Sequence, residues 1–263
     1  MNVNEFEREE CNMIIDGDQQ KLQKIRDEVE RASEHYYHSA QQEGIDNRTK
    51  LFVVERCLPF IKGNKVLELG YIDGLWTDCV LQKGFEVEIV EGAKKNIDHA
   101  CYKYSGNPKV MIHHCLFQEY QPMHLFDTIL AADIIRYIED PVKFLATTKK
   151  WLKDDGILIV SVPNSRSLHR RIGSLMGFES TPVALNERDK EVGNLRSYDR
   201  YEFRDVILKS GYFIKTLRGC FLKPLSSQQM DSWDDKLLRA FLNIGDELED
   251  YCWFIYAICK KEV

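Results

Sequence analysis

Short apolar runs alternate with longer segments of helical spacing along most of the chain. The short runs are typical of buried strands, and the longer segments are typical of amphipathic helices. The predicted strands are residues 64–70, 85–91, 109–114, 126–131, 156–162, 212–221 and 251–260. The predicted helices are residues 19–42, 47–61, 74–83, 93–104, 141–152, 199–209 and 227–247. This alternation predicts an α/β fold, with helices on both faces of a mostly parallel sheet.

Three segments fall outside that rhythm. We expect residues 1–18 to be weakly ordered, and we interpret residues 1–45 as an N-terminal tail and cap helix. The main domain then spans residues 46–263. Within it, residues 164–196 are first basic and then mixed in character, and we interpret them as an insertion that covers the substrate.

Composition and charge exclude several classes of function. The chain is 44% hydrophobic and 30% charged, as expected for a globular protein with a full core. Its net charge of −6 argues against a nucleic-acid partner, which needs a basic surface. No segment has the apolar length of a membrane span, and the N-terminus does not have the pattern of a signal peptide. We therefore expect a cytoplasmic protein with no membrane partner.

The cysteines and histidines do not form a metal-binding pattern. The eight cysteines show no C-x-x-C pairing, and we expect them to be buried, reduced thiols. His113 and His114 are adjacent in a predicted strand, so their side chains point to opposite faces. No third ligand is evident beside either of them, and we expect no metal.

A glycine turn between the first strand and its helix indicates a nucleoside cofactor. Gly70 and Gly74 bracket this turn, and the next strand ends on Glu91. In α/β sheets such glycines let the backbone approach a ligand, while the acid accepts ribose hydroxyl groups. A dinucleotide would prefer G-x-G-x-x-G, but Ile72 stands at the middle glycine position. Glu68, just before the turn, suits a cationic ligand such as a sulfonium. A dinucleotide oxidoreductase stays open as the competing interpretation.

The pattern E-x-G-x-x-x-G, a strand and then an acid resembles class I S-adenosylmethionine-dependent methyltransferases. Glu68, Gly70, Gly74 and Glu91 carry this resemblance, which covers residues 46–221. It implies a Rossmann-like sheet of seven strands, with the last strand antiparallel and an N-terminal helical cap. It also implies S-adenosyl-L-methionine as the cofactor.

The resemblance also implies roles for residues at the cofactor. Glu91 holds the ribose, and Glu68 favours the cationic end of the cofactor through the loop. Tyr71 contacts or shields the methionine end. The segment after the third strand lies along the adenine: Cys115, Leu116 and Phe117. Tyr36 and Tyr37 either pack in the N-terminal helix or form a lid over the cofactor.

The strand ends also supply candidate catalytic groups. Asp133 follows the fourth strand, where it faces the methyl group or the substrate and also contributes to cofactor binding. Tyr137 orients a nucleophile in this interpretation; a purely structural hydrogen-bonding role is the alternative for both residues. Arg136 and Tyr137 stand where the family usually has a Glu-His pair, so no histidine is present at that position.

A basic segment follows the fifth strand. Asn164, Arg166, His169 and Arg170 are the candidate substrate-binding residues. Arginine forks bind carboxylate or phosphate oxygens, and a histidine accepts a proton near neutral pH. His169 is therefore the first candidate for a general base and Asp133 the second. A solvated basic turn is the alternative.

These residues together predict an S-adenosylmethionine-dependent methyltransferase. The segment that begins at Val162 is similar to a branch associated with glycan and small-metabolite modification. The expected acceptor is a small polar and anionic molecule, such as a nucleotide-linked or phosphorylated sugar, methylated on oxygen or nitrogen. A quinone-like aromatic acceptor is one alternative. A non-catalytic, cofactor-binding scaffold is another.

Overall fold

A computed structural model describes residues 19–34 and 44–261 of the chain. The predictions for residues 1–18, and for the aromatic pair Tyr36 and Tyr37, lie outside the described residues.

A seven-stranded sheet forms the centre of the fold. The strands are β1 (Lys65–Leu69), β2 (Glu86–Glu91), β3 (Val110–His114), β4 (Phe126–Ala132), β5 (Leu152–Pro163), β6 (Tyr212–Cys220) and β7 (Phe254–Lys261). Their order across the sheet is β3-β2-β1-β4-β5-β7-β6. β7 runs antiparallel to both β5 and β6, and the other pairs are parallel. The predicted sheet, including its antiparallel last strand, is confirmed.

Helices cover both faces of this sheet. They are α1 (19–34), α2 (Ile45–Cys57), α3 (Leu75–Gln82), α4 (Lys94–Lys103), α5 (Pro141–Thr148), α6 (Leu168–Leu175), α7 (Glu187–Glu191), α8 (Arg200–Lys209), α9 (Ser227–Met230) and α10 (Asp235–Gly245). Val66 and Leu67 are neighbours in β1, yet they pack in two different hydrophobic clusters. Because side chains alternate along a strand, each face of the sheet has its own core.

Two predicted helices were wrong in their extent. The expected helix 227–247 is divided, because the Asp234 carboxylate accepts a hydrogen bond from the backbone N–H of Leu237 and so starts α10. The expected helix 141–152 ends at Thr148, and Leu152 pairs with Phe126 in the sheet. Residues 164–196, which showed few strong periods, contain α6 and α7.

The N-terminal helix α1 lies across the carboxyl ends of the strands. Arg26 forms an ion pair with Glu119, which follows β3, and Lys21 forms one with Glu139, which follows β4. A Cβ atom on Gly92, just after β2, would lie 3.2 Å from Cγ1 of Val29. The predicted helical cap therefore covers the edge of the sheet where the glycine turn lies.

Candidate functional site

The site is centred where the strand order reverses. The chain runs from β1 to β2 and β3 on one side, and then returns to β4 on the other side of β1. In open α/β sheets, ligands bind outside the carboxyl ends of the strands at such a switch point. Gly70 follows β1 and Asp133 follows β4, so both residues border this crevice.

The turn after β1 has an unusual backbone. Gly70, Ile72 and Gly74 have φ angles of 83°, 52° and 81°, in the left-handed region. At Gly70 there is also no room for a side chain, because an added Cβ would lie 2.9 Å from Cγ2 of Ile134. The chain therefore passes close to the segment after β4. Of these three turn residues, Ile72 is the one that adopts this conformation against its steric preference.

The strain at Ile72 should reverse the usual order of two substitutions. In ordinary conformations alanine is more stabilising than glycine, but at positive φ the Cβ atom carries a steric cost. We expect Ile72→Gly to exceed Ile72→Ala in free energy of unfolding by about 1 kcal/mol, as measured by urea denaturation. The same pair of substitutions at Lys95, in α4, should show the normal order. If Ile72→Ala had the higher free energy of unfolding of the two variants, backbone strain at Ile72 would be contradicted.

Glu91 lies at the end of β2, against the glycine turn. Its side chain is buried, and its two carboxylate oxygens accept hydrogen bonds from the backbone N–H groups of Tyr71, at 2.9 Å, and Ala93, at 2.8 Å. Each carboxylate oxygen has a second lone pair, so the group can also accept bonds from a ligand. This geometry fits the predicted contact with ribose hydroxyls.

Loss of the Glu91 carboxylate should weaken cofactor binding. We expect Glu91→Ala to reduce the affinity for S-adenosylhomocysteine by about 1.5–3 kcal/mol, because hydrogen bonds to a charged group are lost. Calorimetric titration measures this. Glu86→Ala, at the exposed start of the same strand, is the matched control and should bind normally. Unchanged affinity in a folded Glu91→Ala would remove Glu91 from the site.

Glu68 is a buried acid next to the turn. Its carboxylate accepts a hydrogen bond from the Thr77 hydroxyl, on α3. Burial raises the pKa of Glu68 to about 8; the Thr77 bond opposes this, and nearby acids such as Asp73 add to it. A neighbouring cation would favour the ionised form, as expected for a residue that assists a cationic ligand.

The other predicted cofactor residues border the crevice to different degrees. The ring of Phe117 lies near Gly70, since its Cζ would be 3.8 Å from an added Cβ there. Cys115 and the buried Leu116 follow β3 directly. The Tyr71 ring is 2% exposed; its hydroxyl lies 3.0 Å from Nδ1 of His99. Its predicted contact with the methionine end stays a prediction.

Asp133 combines strain, burial and an unsatisfied oxygen. Its φ angle is 62°, and its Oδ2 forms an ion pair with Arg136 at 2.8 Å. Its buried Oδ1 has no hydrogen-bond partner among the described residues. Burial raises the pKa of Asp133, although Arg136 and Lys50 act to lower it. These features suit a carboxylate that accepts a proton.

A polar pocket lies beside Asp133, at the end of β5. We call it the strand-end pocket. Its lining combines polar residues (Arg136, Asn164, Ser165, Arg170, Asp189, Asn194, Arg196 and Ser197) with apolar or aromatic ones (Val162, Pro163, Leu185 and Tyr198). Arg136 lines the pocket and also holds Asp133, so the pocket and the carboxylate are adjacent.

The predicted arginines are paired with acids that the sequence did not indicate. Arg166 donates to Asp199 at 3.0 Å, and its side chain is 52% exposed. The Arg170 guanidinium forms an ion pair with Asp189 and donates to the carbonyl groups of Pro182 and Ala184. Arg170 therefore ties residues 182–189 to α6, at the wall of the pocket.

Asn164 and His169 are engaged in internal contacts. The Asn164 amide donates to the carbonyl oxygens of Asp250 and Cys252, and its oxygen accepts from the backbone N–H of Arg166. Burial, assisted by Lys223 and Arg170, lowers the pKa of His169 to about 3. At neutral pH His169 is therefore uncharged and a weak base.

Tyr137 lies in a short 3-10 helix after β4, and Arg136 lies over its ring. Ser165 and Asn194 are among the pocket residues that the sequence reasoning missed. Ser165 follows the Val-Pro-Asn segment, which is a usable signal because that segment ends a strand. Asn194 lies in a mixed segment with no pattern around it.

The sequence matches a known family. Residues 25–212 match the family described as "Methyltransferase domain". The chain belongs to this methyltransferase family. It is therefore a methyltransferase, with S-adenosylmethionine as its cofactor, and the dinucleotide interpretation is set aside.

Relatives and solved structures are similar to this methyltransferase at low identity. A ubiquinone biosynthesis O-methyltransferase from Rickettsia typhi is 23% identical, over 83% of this chain and 91% of that one. A SAM-dependent methyltransferase from Thermotoga maritima, described as a possible histamine N-methyltransferase, has a TM-score of 0.62 and 16% identity, and the match covers 89% of this chain and 100% of that one. One from Mesorhizobium loti has a TM-score of 0.58 and 16% identity, over 79% and 95%. At such identities the solved structures show a shared fold.

Two further findings on the described residues concern membrane spans and metal ions. None of its helices there has both the length and the apolar character needed to cross a membrane. In those same ranges, no group of three or more histidine, cysteine or acidic residues is placed to hold a metal ion.

Proposed function

We propose that this methyltransferase transfers a methyl group to an oxygen or nitrogen atom of a small polar molecule bound in the strand-end pocket. The observation that carries the proposal is the position of that pocket. It shares Arg136 with Asp133, which borders the same crevice as the glycine turn. An acceptor in the pocket would therefore lie next to the Arg136–Asp133 ion pair.

The charges around the pocket support a polar acceptor that carries an anionic group at its outer end. Arg136, Arg170 and Arg196 line the pocket. The acids Asp133 and Asp189 offset two of these positive charges. Arg166 follows the pocket residue Ser165 in the chain, and its half-exposed side chain pairs with Asp199. A nucleotide-linked or phosphorylated sugar would place hydroxyl groups inside and phosphate oxygens near Arg166, where arginine binds them well.

The chain's part in the reaction is mainly positioning and proton transfer. S-adenosylmethionine, when bound, supplies a methyl carbon already activated by its sulfonium. The Gly70 turn permits close approach, and Glu91 offers carboxylate oxygens for the ribose. Asp133 Oδ1 would take the proton from the attacking hydroxyl or amine, while Arg136 holds the carboxylate in place. Asp133 replaces His169 as our first candidate for the base, because the low pKa of His169 makes it a poor proton acceptor.

A quinone-like aromatic acceptor is the second candidate. The relatives in ubiquinone biosynthesis favour it, at 23% identity for the one from Rickettsia typhi. The apolar side of the strand-end pocket, with Val162, Leu185 and Tyr198, would contact one edge of an aromatic ring. This acceptor needs no anionic group, so charge separates the two candidates.

A methyl-transfer assay tests the proposal. The protein is incubated with cofactor labelled with tritium in the methyl group and a panel of acceptors. The panel contains glucose phosphate; uridine diphosphate glucose with its glucosamine and deoxyglucose analogues; and catechol, ortho-aminophenol and phenol. We expect label in the sugar derivatives. Methylation of the uncharged phenols alone would favour the aromatic candidate. Binding of S-adenosylhomocysteine without transfer to any member would contradict a small-molecule acceptor.

A further inference from the structure

Two polar atoms of the strand-end pocket are buried and have no hydrogen-bond partner within residues 19–34 and 44–261. They are Oγ of Ser165 and Oδ1 of Asn194. Ser165 is 2% exposed and Asn194 is 7% exposed, and both line the pocket. A buried polar group without a partner costs free energy. Such groups in a pocket are suited to a ligand that completes their hydrogen bonds.

The chemistry of Asn194 defines what that ligand must present. Its Nδ2 donates to Oδ1 of Asp189 at 2.9 Å. An ionised carboxylate only accepts hydrogen bonds, so the amide nitrogen must face Asp189. Oδ1 is then the atom that is left over, and it only accepts. A phosphate or carboxylate oxygen on the ligand could not satisfy it, whereas a hydroxyl or amino group could.

The backbone holds both residues in place. The N–H of Ser165 donates to the carbonyl of Tyr198 at 2.8 Å, and the N–H of Leu195 donates to the carbonyl of Arg136 at 3.0 Å. The N–H of Asn194 donates to the carbonyl of Asp189 at 2.8 Å. Because the segment after α7 is tied to both strand ends, the two side chains are positioned before a ligand binds. Preorganised groups of this kind favour specificity.

We propose that Ser165 and Asn194 form a subsite that recognises a hydroxyl or amino group on the methyl acceptor, close to the atom that is methylated. This rests on the proposed function, since it assigns the acceptor to the strand-end pocket. Asn194 Oδ1 accepts a hydrogen bond from that group. Ser165 Oγ then donates to it or accepts from a neighbouring group, because a hydroxyl can do either. The acceptor therefore carries a second donor beside the reacting one.

Ser165→Ala is a clean test, because its hydroxyl has no protein partner to lose in the described part of the chain. With acceptors that carry the second donor, we expect the KM for the acceptor to rise about three- to tenfold, as for one neutral hydrogen bond. The acceptors used are catechol, ortho-aminophenol, uridine diphosphate glucose and its glucosamine analogue. With phenol and the deoxyglucose analogue, KM should not change. Affinity for S-adenosylhomocysteine and the unfolding temperature should also stay at parent values.

Ser210→Ala is the matched control. Ser210 is also buried, but its hydroxyl donates to the carbonyl of Ile207 at 2.6 Å, at the end of α8. Its removal should lower the unfolding temperature and leave KM unchanged. Ser165→Ala should raise KM and leave the unfolding temperature unchanged. The two variants together therefore separate a binding role from a structural one.

The parent protein gives an independent measurement. It should prefer catechol or ortho-aminophenol to phenol by at least about tenfold in kcat/KM, because the analogue leaves the subsite unpaired. We expect the same preference for uridine diphosphate glucose and its glucosamine analogue over the deoxyglucose analogue. Comparing the hydroxyl compounds with the amino compounds shows which kind of donor the subsite prefers. Equal use of the analogue pairs, or an unchanged KM in Ser165→Ala, overturns the subsite while the proposed function stands. No transfer to any member contradicts the proposed function itself, and the subsite with it.

Discussion

We expect the free energy of unfolding of the parent protein to fall, relative to that of the Glu68→Gln variant, as the pH rises from about 5 to about 8. We expect a relative loss of roughly 3–4 kcal/mol over this range, since each unit of pKa difference corresponds to about 1.4 kcal/mol. The cause is the burial of Glu68 beside Thr77, which raises the pKa of its carboxyl from 4.5 to about 8 in the folded protein.

The direction follows from the protons bound in each state. In the unfolded chain, Glu68 loses its proton near its ordinary pKa of 4.5, whereas the folded protein keeps it until about pH 8. Between these values the unfolded state binds fewer protons, so raising the pH favours unfolding. Below the lower value both states are protonated, and the penalty disappears.

Urea denaturation at several pH values measures this. Glu68→Gln keeps an acceptor for the Thr77 hydroxyl but cannot ionise, so the difference between parent and variant isolates the titration of Glu68. Glu86→Gln makes the same change at an exposed acid on β2 and is the control. A difference for Glu68→Gln that stays constant between pH 5 and 8 would show that Glu68 has an ordinary pKa.

The hydrophobic pattern predicted the sheet because period and length are local properties. In β2 apolar residues stand between glutamates, and β4 is mainly apolar; both strands were found within a residue of their predicted ends. The two failures concern a choice between competing local signals. Asp234 starts a new helix inside a helical pattern, and Leu152 belongs to the sheet rather than to the helix before it.

The sequence indicated the candidate cofactor residues more clearly than the candidate acceptor residues. Gly70 and Glu91 are recognisable because their roles depend on backbone conformation and position at a strand end. The arginines were recognisable as cations, but their partners Asp189 and Asp199 are 19 and 33 residues away in sequence. Pairing over such distances depends on how residues 164–199 fold back on themselves. Asn194 could not be predicted for the same reason, because its place in the pocket depends on this folding and not on the residues around it in the sequence.

Asp133→Asn is expected to have the largest effect on catalysis. We expect kcat to fall by about 10²–10⁴-fold, because a positioned base would be lost. The variant keeps the shape of the side chain but cannot take a proton. In the parent, kcat should decline as the pH falls through the pKa of Asp133, which burial raises above its ordinary 3.8, since the carboxylate must be ionised to act. Asp133→Asn should lack this acidic decline.

Two comparisons separate the loss of a base from the loss of an ion pair. Asp127 lies at the opposite end of β4 and pairs with Lys153 at 2.7 Å, so Asp127→Asn removes a similar pair far from the crevice and should keep its kcat. His169→Gln should lose less than about tenfold in kcat, because a group with a pKa near 3 contributes little as a base at neutral pH.

Initial rates over a range of pH, with the best acceptor of the panel, decide between Asp133 and His169 as the base. A normal kcat in Asp133→Asn with a large loss in His169→Gln would assign the base to His169. Normal rates in both would mean that alignment of the acceptor suffices for transfer.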